Sequence, residues 1–197
     1  MKHFKINNQN NVQITVFPKT GTTFMDSLCG EHSDMSVGTY TNPGTHYISV
    51  RYPLSRFISG FCTLYYRSHQ NNVMPEYHDL YTKISNMSLC DAFYECYNYF
   101  ENDWSFDSHT KCCYNSLPED YTNIIFIDYR DIGILLEQLG FKPIEYNDVY
   151  QNINPSSDKD YLHNIIHSDK DLYNNIQKYL IPDLGIYQKL PVFKINA

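Results

Sequence analysis

The sequence predicts an α/β fold with a small, mainly parallel sheet. Three runs, residues 12–17, 47–50 and 124–127, are short, apolar and rich in β-branched or aromatic side chains, and read as strands. Each is followed by a turn and then by a helical pattern, the order that builds parallel strands with helical crossovers. The first two strand ends carry Lys19 and Arg51, at the carboxyl ends where open α/β sheets bind ligands.

The elements follow in order. Residues 12–17 alternate and stop at Pro18. Pro18-Lys19-Thr20-Gly21-Thr22-Thr23 is a turn leading into a helix, with Thr22 or Thr23 as cap, a run to about Cys29 and a stop at Gly30. Tyr52-Pro53 ends the second strand, and Pro53 suits the first position of a helix. From there to Arg67, Leu54, Phe57, Ile58, Phe61 and Leu64 recur three or four apart, one apolar helix stripe. Ser88 caps a helix over 89–100, and 117–123 is a turn region before the third strand. Residues 131–139 form a helix that Gly140 closes, and 147–158 are polar and loop-like. Ser168 or Asp169 starts a last helix to about Tyr179, which Pro182 interrupts.

Composition narrows the function. The 197 residues suit one domain over 1–197. A hydrophobic share of 42% supports a core, and the 19 tyrosines place rings with polar tips at core edges or along a cleft. The net charge of −7 argues against a general nucleic-acid binder and leaves room for a local basic site for one anion. No run reaches the roughly 18 apolar residues of a membrane span, and residues 1–11 lack the apolar segment of a signal peptide. The chain reads as cytoplasmic. Cys29, Cys62, Cys90, Cys96, Cys112 and Cys113 form no CxxC pair, so reduced thiols are expected and no metal site.

Two motifs carry chemistry. In the first, Gly21 permits close approach of a ligand to the backbone, the helix start offers free N–H groups, Thr22 and Thr23 add hydroxyls, and Lys19 adds a mobile cation. A Walker A loop has its lysine after the second glycine; here Lys19 precedes Gly21. In the second, Arg51 ends a strand with a fork suited to phosphate, and Ser59 follows eight residues on, two turns into the helix, with Arg56 and Arg67 near enough to reinforce it. Taken separately, each has a plainer reading: a Pro–Gly turn with a solvated lysine, and a strand-end ion pair with a small packing serine.

Taken together, Pro18-Lys19-Thr20-Gly21-Thr22-Thr23 and Arg51-Tyr52-Pro53-Leu54-Ser55-Arg56-Phe57-Ile58-Ser59-Gly60-Phe61 resemble the signature of the sulfotransferases that use 3′-phosphoadenosine 5′-phosphosulfate (PAPS). The likeness is closest to the carbohydrate sulfotransferase branch and its short bacterial and viral-type relatives, with Tyr52 in place of the usual Asp. Weaker echoes are Phe126-Ile127-Asp128-Tyr129-Arg130-Asp131 and residues 176–187. The Arg-Lys-Gly element of the small-molecule branch is not found.

The resemblance implies a P-loop-NTPase-like three-layer fold, its central sheet flanked by helices, and transfer of a sulfuryl group from PAPS to an acceptor hydroxyl, a glycan first. It implies that Lys19, Thr20, Gly21, Thr22 and Thr23 hold the phosphosulfate and that Arg51 and Ser59 hold the 3′-phosphate. It places a general base between the motifs, His32 first, with Glu31 and His46 as alternatives; His109 is a candidate for the acceptor pocket. The rival readings are a P-loop kinase-like phosphotransferase and a non-catalytic nucleotide-binding module.

Overall fold

The computed structural model describes residues 1–6, 12–31, 33–39, 41, 44–70, 78–99, 104, 107, 109–113, 117, 124–141 and 156–190. Five strands, β1 (Lys2–Ile6), β2 (Val12–Val16), β3 (Met35–Gly38), β4 (Thr45–Val50) and β5 (Ile124–Asp128), form one sheet in the order β3-β1-β2-β4-β5. The helices are α1 (Thr22–Glu31), α2 (Pro53–Ser68), α3 (His78–Ile84), α4 (Leu89–Tyr99), α5 (Ile132–Gln138), α6 (Ser156–Ser168) and α7 (Lys170–Tyr187), with a 3-10 turn at Tyr129–Asp131.

The chain divides into two compact units. One comprises Met1–Tyr52, Cys113–Gln151 and Asp183–Ala197; the other comprises Pro53–Cys112 and Asn152–Pro182. The first unit contains the sheet. β2, β4 and β5 pair parallel, with Val16 opposite Ser49 and Val50 opposite Asp128. β1 pairs antiparallel with both β2 and β3. The sheet is therefore mixed rather than mainly parallel: the three strands expected from the sequence are the parallel ones, and β1 and β3 were not expected. Alternation sorts the side chains by face. Ile14, Val16 and Ile127 pack with Phe24, Met25 and Leu28 of α1 and with Ile132, Leu135 and Leu136 of α5. On the other face Ile48 and Val50 pack with Phe17, Cys113 and Ile186.

That second face also carries buried polar groups. Thr15 Oγ1 lies 2.7 Å from His3 Nδ1 and 2.6 Å from His46 Nε2, and Gln13, Thr15 and His46 are buried. One hydroxyl donates to one ring and accepts from the other, which suits two neutral imidazoles. Burial pushes His46 down to about 4 from its ordinary 6.5, and His3 is lowered for the same first reason. The unfolded chain binds these protons near the ordinary value and the folded chain resists them, so stability is intact above that value and falls as pH drops through the window down to about 4. The urea midpoint is expected to fall between about pH 7 and pH 5. His46→Gln should flatten that slope; an unchanged slope would place its origin elsewhere.

The second unit is helical. Leu54, Phe57, Ile58 and Phe61 of α2 meet Phe93 and Cys96 of α4, Leu162 and Ile166 of α6, and Leu172, Ile176 and Leu180 of α7. Trp104 stacks on Phe93 and takes Phe57 edge-on at a centroid distance of 4.9 Å, the aromatic geometry that adds to plain burial. α4 begins as expected: Ser88 Oγ accepts from Asp91 N and donates to the Asp91 carboxylate.

Local signals were overridden at three places. α1 passes through Gly30 to Glu31. α6 occupies residues 156–168, which include the end of the expected loop over 147–158; residues 142–155 lie outside the described residues. α7 continues through Pro182 to Tyr187. The proline removes one intrahelical donor, but Leu180 before it and Ile186 after it are both buried, and the Asp183 carboxylate accepts from Cys113 N at 3.0 Å. Those interactions outweigh the missing bond.

Candidate functional site

The site begins at the turn between β2 and α1. Thr20 N donates to Phe17 O at 3.1 Å, closing a four-residue turn with Pro18 in its second position and Lys19 in its third. Proline presets the second position of a type II turn, and the third position needs a positive φ, where glycine is usual. Lys19 takes it with φ of 68°. For a residue with a Cβ this costs on the order of 1 kcal/mol, and backbone strain of this kind concentrates at functional sites.

The threonines hold the turn together. Thr20 Oγ1 accepts from Phe17 N and donates to Phe17 O, and Thr22 Oγ1 donates to the same carbonyl at 2.8 Å. Their hydroxyl protons thus face the protein, contrary to the expectation that the Thr22 hydroxyl serves a ligand. Thr23 is exposed. The amides of Gly21, Thr22 and Thr23 have no acceptor among the described residues, and those of Thr22 and Thr23 open α1, where first-turn N–H groups lack an intrahelical partner. Three consecutive amides at a helix start form an anion-binding concavity. Gly21 has φ of 100°, and a Cβ there would lie 2.7 Å from Ile132 Cδ1. Its lack of a side chain lets α5 approach the turn.

β4 is tied to this turn. Ser49 Oγ donates to Thr20 O at 2.7 Å, and Arg51 follows two residues later. The Arg51 guanidinium sits over the Tyr129 ring, 5.0 Å from its centroid. Among the described residues Arg51 makes no ion pair. Arg130, at the end of β5, differs. Its Nε donates to Asp128 Oδ1 at 2.8 Å and its Nη2 to Asp128 Oδ2 at 2.9 Å, and this pairing holds Arg130 above the usual guanidinium range. Tyr187 packs edge-on against Tyr52 with centroids 5.6 Å apart. Burial first, then the Asp128 carboxylate, raises its hydroxyl above the ordinary value. The carboxyl ends of three adjacent parallel strands thus carry Lys19, Arg51 and Arg130 on an acidic chain, with tyrosines beside the latter two. Such an edge can hold a phosphate or sulfate group.

The other expected residues belong to other elements. Ser59 belongs to α2 in the second unit and is buried. Arg56 is 1% exposed and donates to His109 O and Lys111 O, which makes it a support for the 109–111 loop rather than a phosphate ligand. His46 lies at the start of β4, buried in the sheet, which takes it out of the running as a base for bound substrate. Glu31 is exposed at the end of α1, and His32 lies outside the described residues.

Sequence reasoning missed one built pair in the second unit. His109 Nδ1 donates to Asp107 Oδ1 at 2.7 Å, and so does His109 N. Burial works to raise the Asp107 carboxyl, but the bonds and charge of His109 outweigh it and the group lies below its ordinary value. A carboxylate on Nδ1 leaves Nε2 as the acceptor of a neutral ring, the tautomer of a general base. The spacing of two residues allows such a pair without demanding it. Among the described residues no cluster of three metal-ligating side chains exists, and no helix is long and apolar enough to cross a membrane.

Comparison with known proteins adds no relative: no family profile, curated protein or solved structure matches the chain.

Proposed function

We propose that this chain is a PAPS-dependent sulfotransferase on a P-loop-NTPase-like three-layer fold. The observation that best supports it is the turn at residues 17–23, where a lysine occupies a strained position normally given to glycine, two residues before three amides without protein acceptors among the described residues. A solvated lysine has no need of that position. Arg51, at the adjacent strand end and without a carboxylate partner among the described residues, supplies a second anion contact of the kind a 3′-phosphate requires.

In this reading Lys19 and the amides of residues 21–23 hold the phosphosulfate, and Arg51 holds the 3′-phosphate. The acceptor oxygen attacks sulfur as the sulfur–oxygen bond to the phosphate breaks, and the electron pair leaves on that phosphate oxygen, which Lys19 steadies. The acceptor proton passes to a base. His32 is the candidate from the sequence. A glycan hydroxyl is the proposed acceptor.

The test is transfer of radioactive sulfur from PAPS to a panel of glycans, phenols and amines. Label on a glycan, with a pH profile that changes in His32→Ala, would support the proposal. PAPS that binds without passing label to any acceptor would replace the enzyme reading with a non-catalytic nucleotide-binding module.

A further inference from the structure

We propose that the run Asp128-Tyr129-Arg130 is a positioning device that keeps the Arg51 guanidinium open to a phosphate; the inference rests on the nucleotide reading above. The parallel register sets Asp128 opposite Val50, the residue before Arg51. A carboxylate on the neighbouring strand at that level is a natural bidentate partner for arginine, and such a pair would occupy the fork that the phosphate needs. Here both oxygens of Asp128 are already taken. Oδ1 accepts from Arg130 N at 3.0 Å and from Nε at 2.8 Å, and Oδ2 accepts from Nη2 at 2.9 Å.

Tyr129 supplies the second half of the device. Its ring lies 5.0 Å from the Arg51 guanidinium carbon. A ring holds a guanidinium through its cationic charge without using its N–H groups as a carboxylate would, which leaves them available to a phosphate. Two arginines at the same end of the sheet therefore have different tasks: Arg130 neutralises Asp128, and Arg51 has no carboxylate partner among the described residues. The Arg130 side chain is 68% exposed and that of Asp128 only 11%, so the pair also satisfies a buried carboxylate, and melting temperature is needed to separate that effect from binding. Arg130 and Tyr129 act through Arg51 and are positioning residues.

The experiment measures binding of 3′-phosphoadenosine 5′-phosphate to the full chain, with melting temperature followed alongside. Arg130→Gln should weaken binding about tenfold, the scale of a single charge-assisted hydrogen bond, as Asp128 captures Arg51 and withdraws it from the phosphate. Adding Asp128→Asn should restore most of that affinity, because the competing carboxylate is gone. Tyr129→Phe should bind like wild type, and Tyr129→Leu more weakly. An Arg130→Gln variant that binds normally, or a weakening that Asp128→Asn does not rescue, would overturn the device and make Arg130 either idle or a direct ligand. A second probe needs no nucleotide: the rate of phenylglyoxal modification at Arg51, read by peptide mass, should drop in Arg130→Gln and recover in the double variant. If wild type shows no preference for the 3′-phosphorylated nucleotide, the nucleotide reading fails, while the labelling rates still decide whether Asp128 is held away from Arg51.

Discussion

Lys19→Gly is expected to yield a protein at least as stable as wild type and nearly devoid of sulfuryl transfer. Lys19 sits at φ of 68°, where a side chain costs on the order of 1 kcal/mol. Glycine removes that strain, although it also frees the unfolded chain. The net change should lie between zero and about 1 kcal/mol in favour of the folded state. Turnover should fall at least about a hundredfold, the usual effect of removing one donor aimed at developing charge. Lys19→Ala separates the two effects, since it keeps the strain and loses the amine, and should be inactive without becoming more stable. Urea unfolding and label transfer on the same preparations check both halves. A Lys19→Gly protein with full activity would return this turn to the plain reading of a solvated lysine.

Gly60→Ala should destabilise the protein by about 3 kcal/mol or more, the range of overpacking against atoms that cannot yield. Helix propensity alone predicts the opposite sign, a gain of roughly 1 kcal/mol for replacing an interior glycine with alanine. The difference lies in what the new methyl group meets. A Cβ at Gly60 would stand 2.1 Å from His109 O and 2.6 Å from His109 C, with Thr110 N at 3.3 Å. These are backbone atoms and cannot swing aside. Moving them would break the Arg56 bonds to His109 O and Lys111 O and disturb the Asp107–His109 pair. Gly185→Ala is the control: its Cβ would meet nothing within 4 Å, and it should stabilise α7 slightly. If thermal unfolding found Gly60→Ala no worse than Gly185→Ala, the 109–111 loop would not lie against α2 as described.

The parts of the fold visible in the sequence are those set by local rules. Pro18 and Gly21 punctuate the turn, Pro53 opens α2, and the Leu54–Phe57–Phe61 spacing gives its buried stripe. β1 was hidden because Lys2, His3 and Lys5 surround its two inward residues, Phe4 and Ile6, so its alternation was masked by polarity. Pro182 reads as a break because the burial of Leu180 and Ile186 around it is tertiary.

The same division holds at the site. Lys19 and Arg51 stand out by type and place, but the φ of Lys19 and the ring beneath Arg51 do not. The Arg51–Tyr129 pairing depends on the register of β4 against β5, strands far apart in the chain, and no local pattern encodes it. Arg56 shows the reverse error. It reads as a phosphate ligand by charge and spacing, and only its burial against two carbonyls shows its structural task.

Calorimetry with 3′-phosphoadenosine 5′-phosphate, set against ADP and ATP, tests the central claim most directly. Tighter binding of the 3′-phosphorylated nucleotide is predicted, with that preference reduced about tenfold or more in Arg51→Ala, as expected for a charge-assisted hydrogen bond. No binding, equal binding of ATP, or a preference that survives Arg51→Ala would contradict the assignment of this strand edge to a 3′-phosphate.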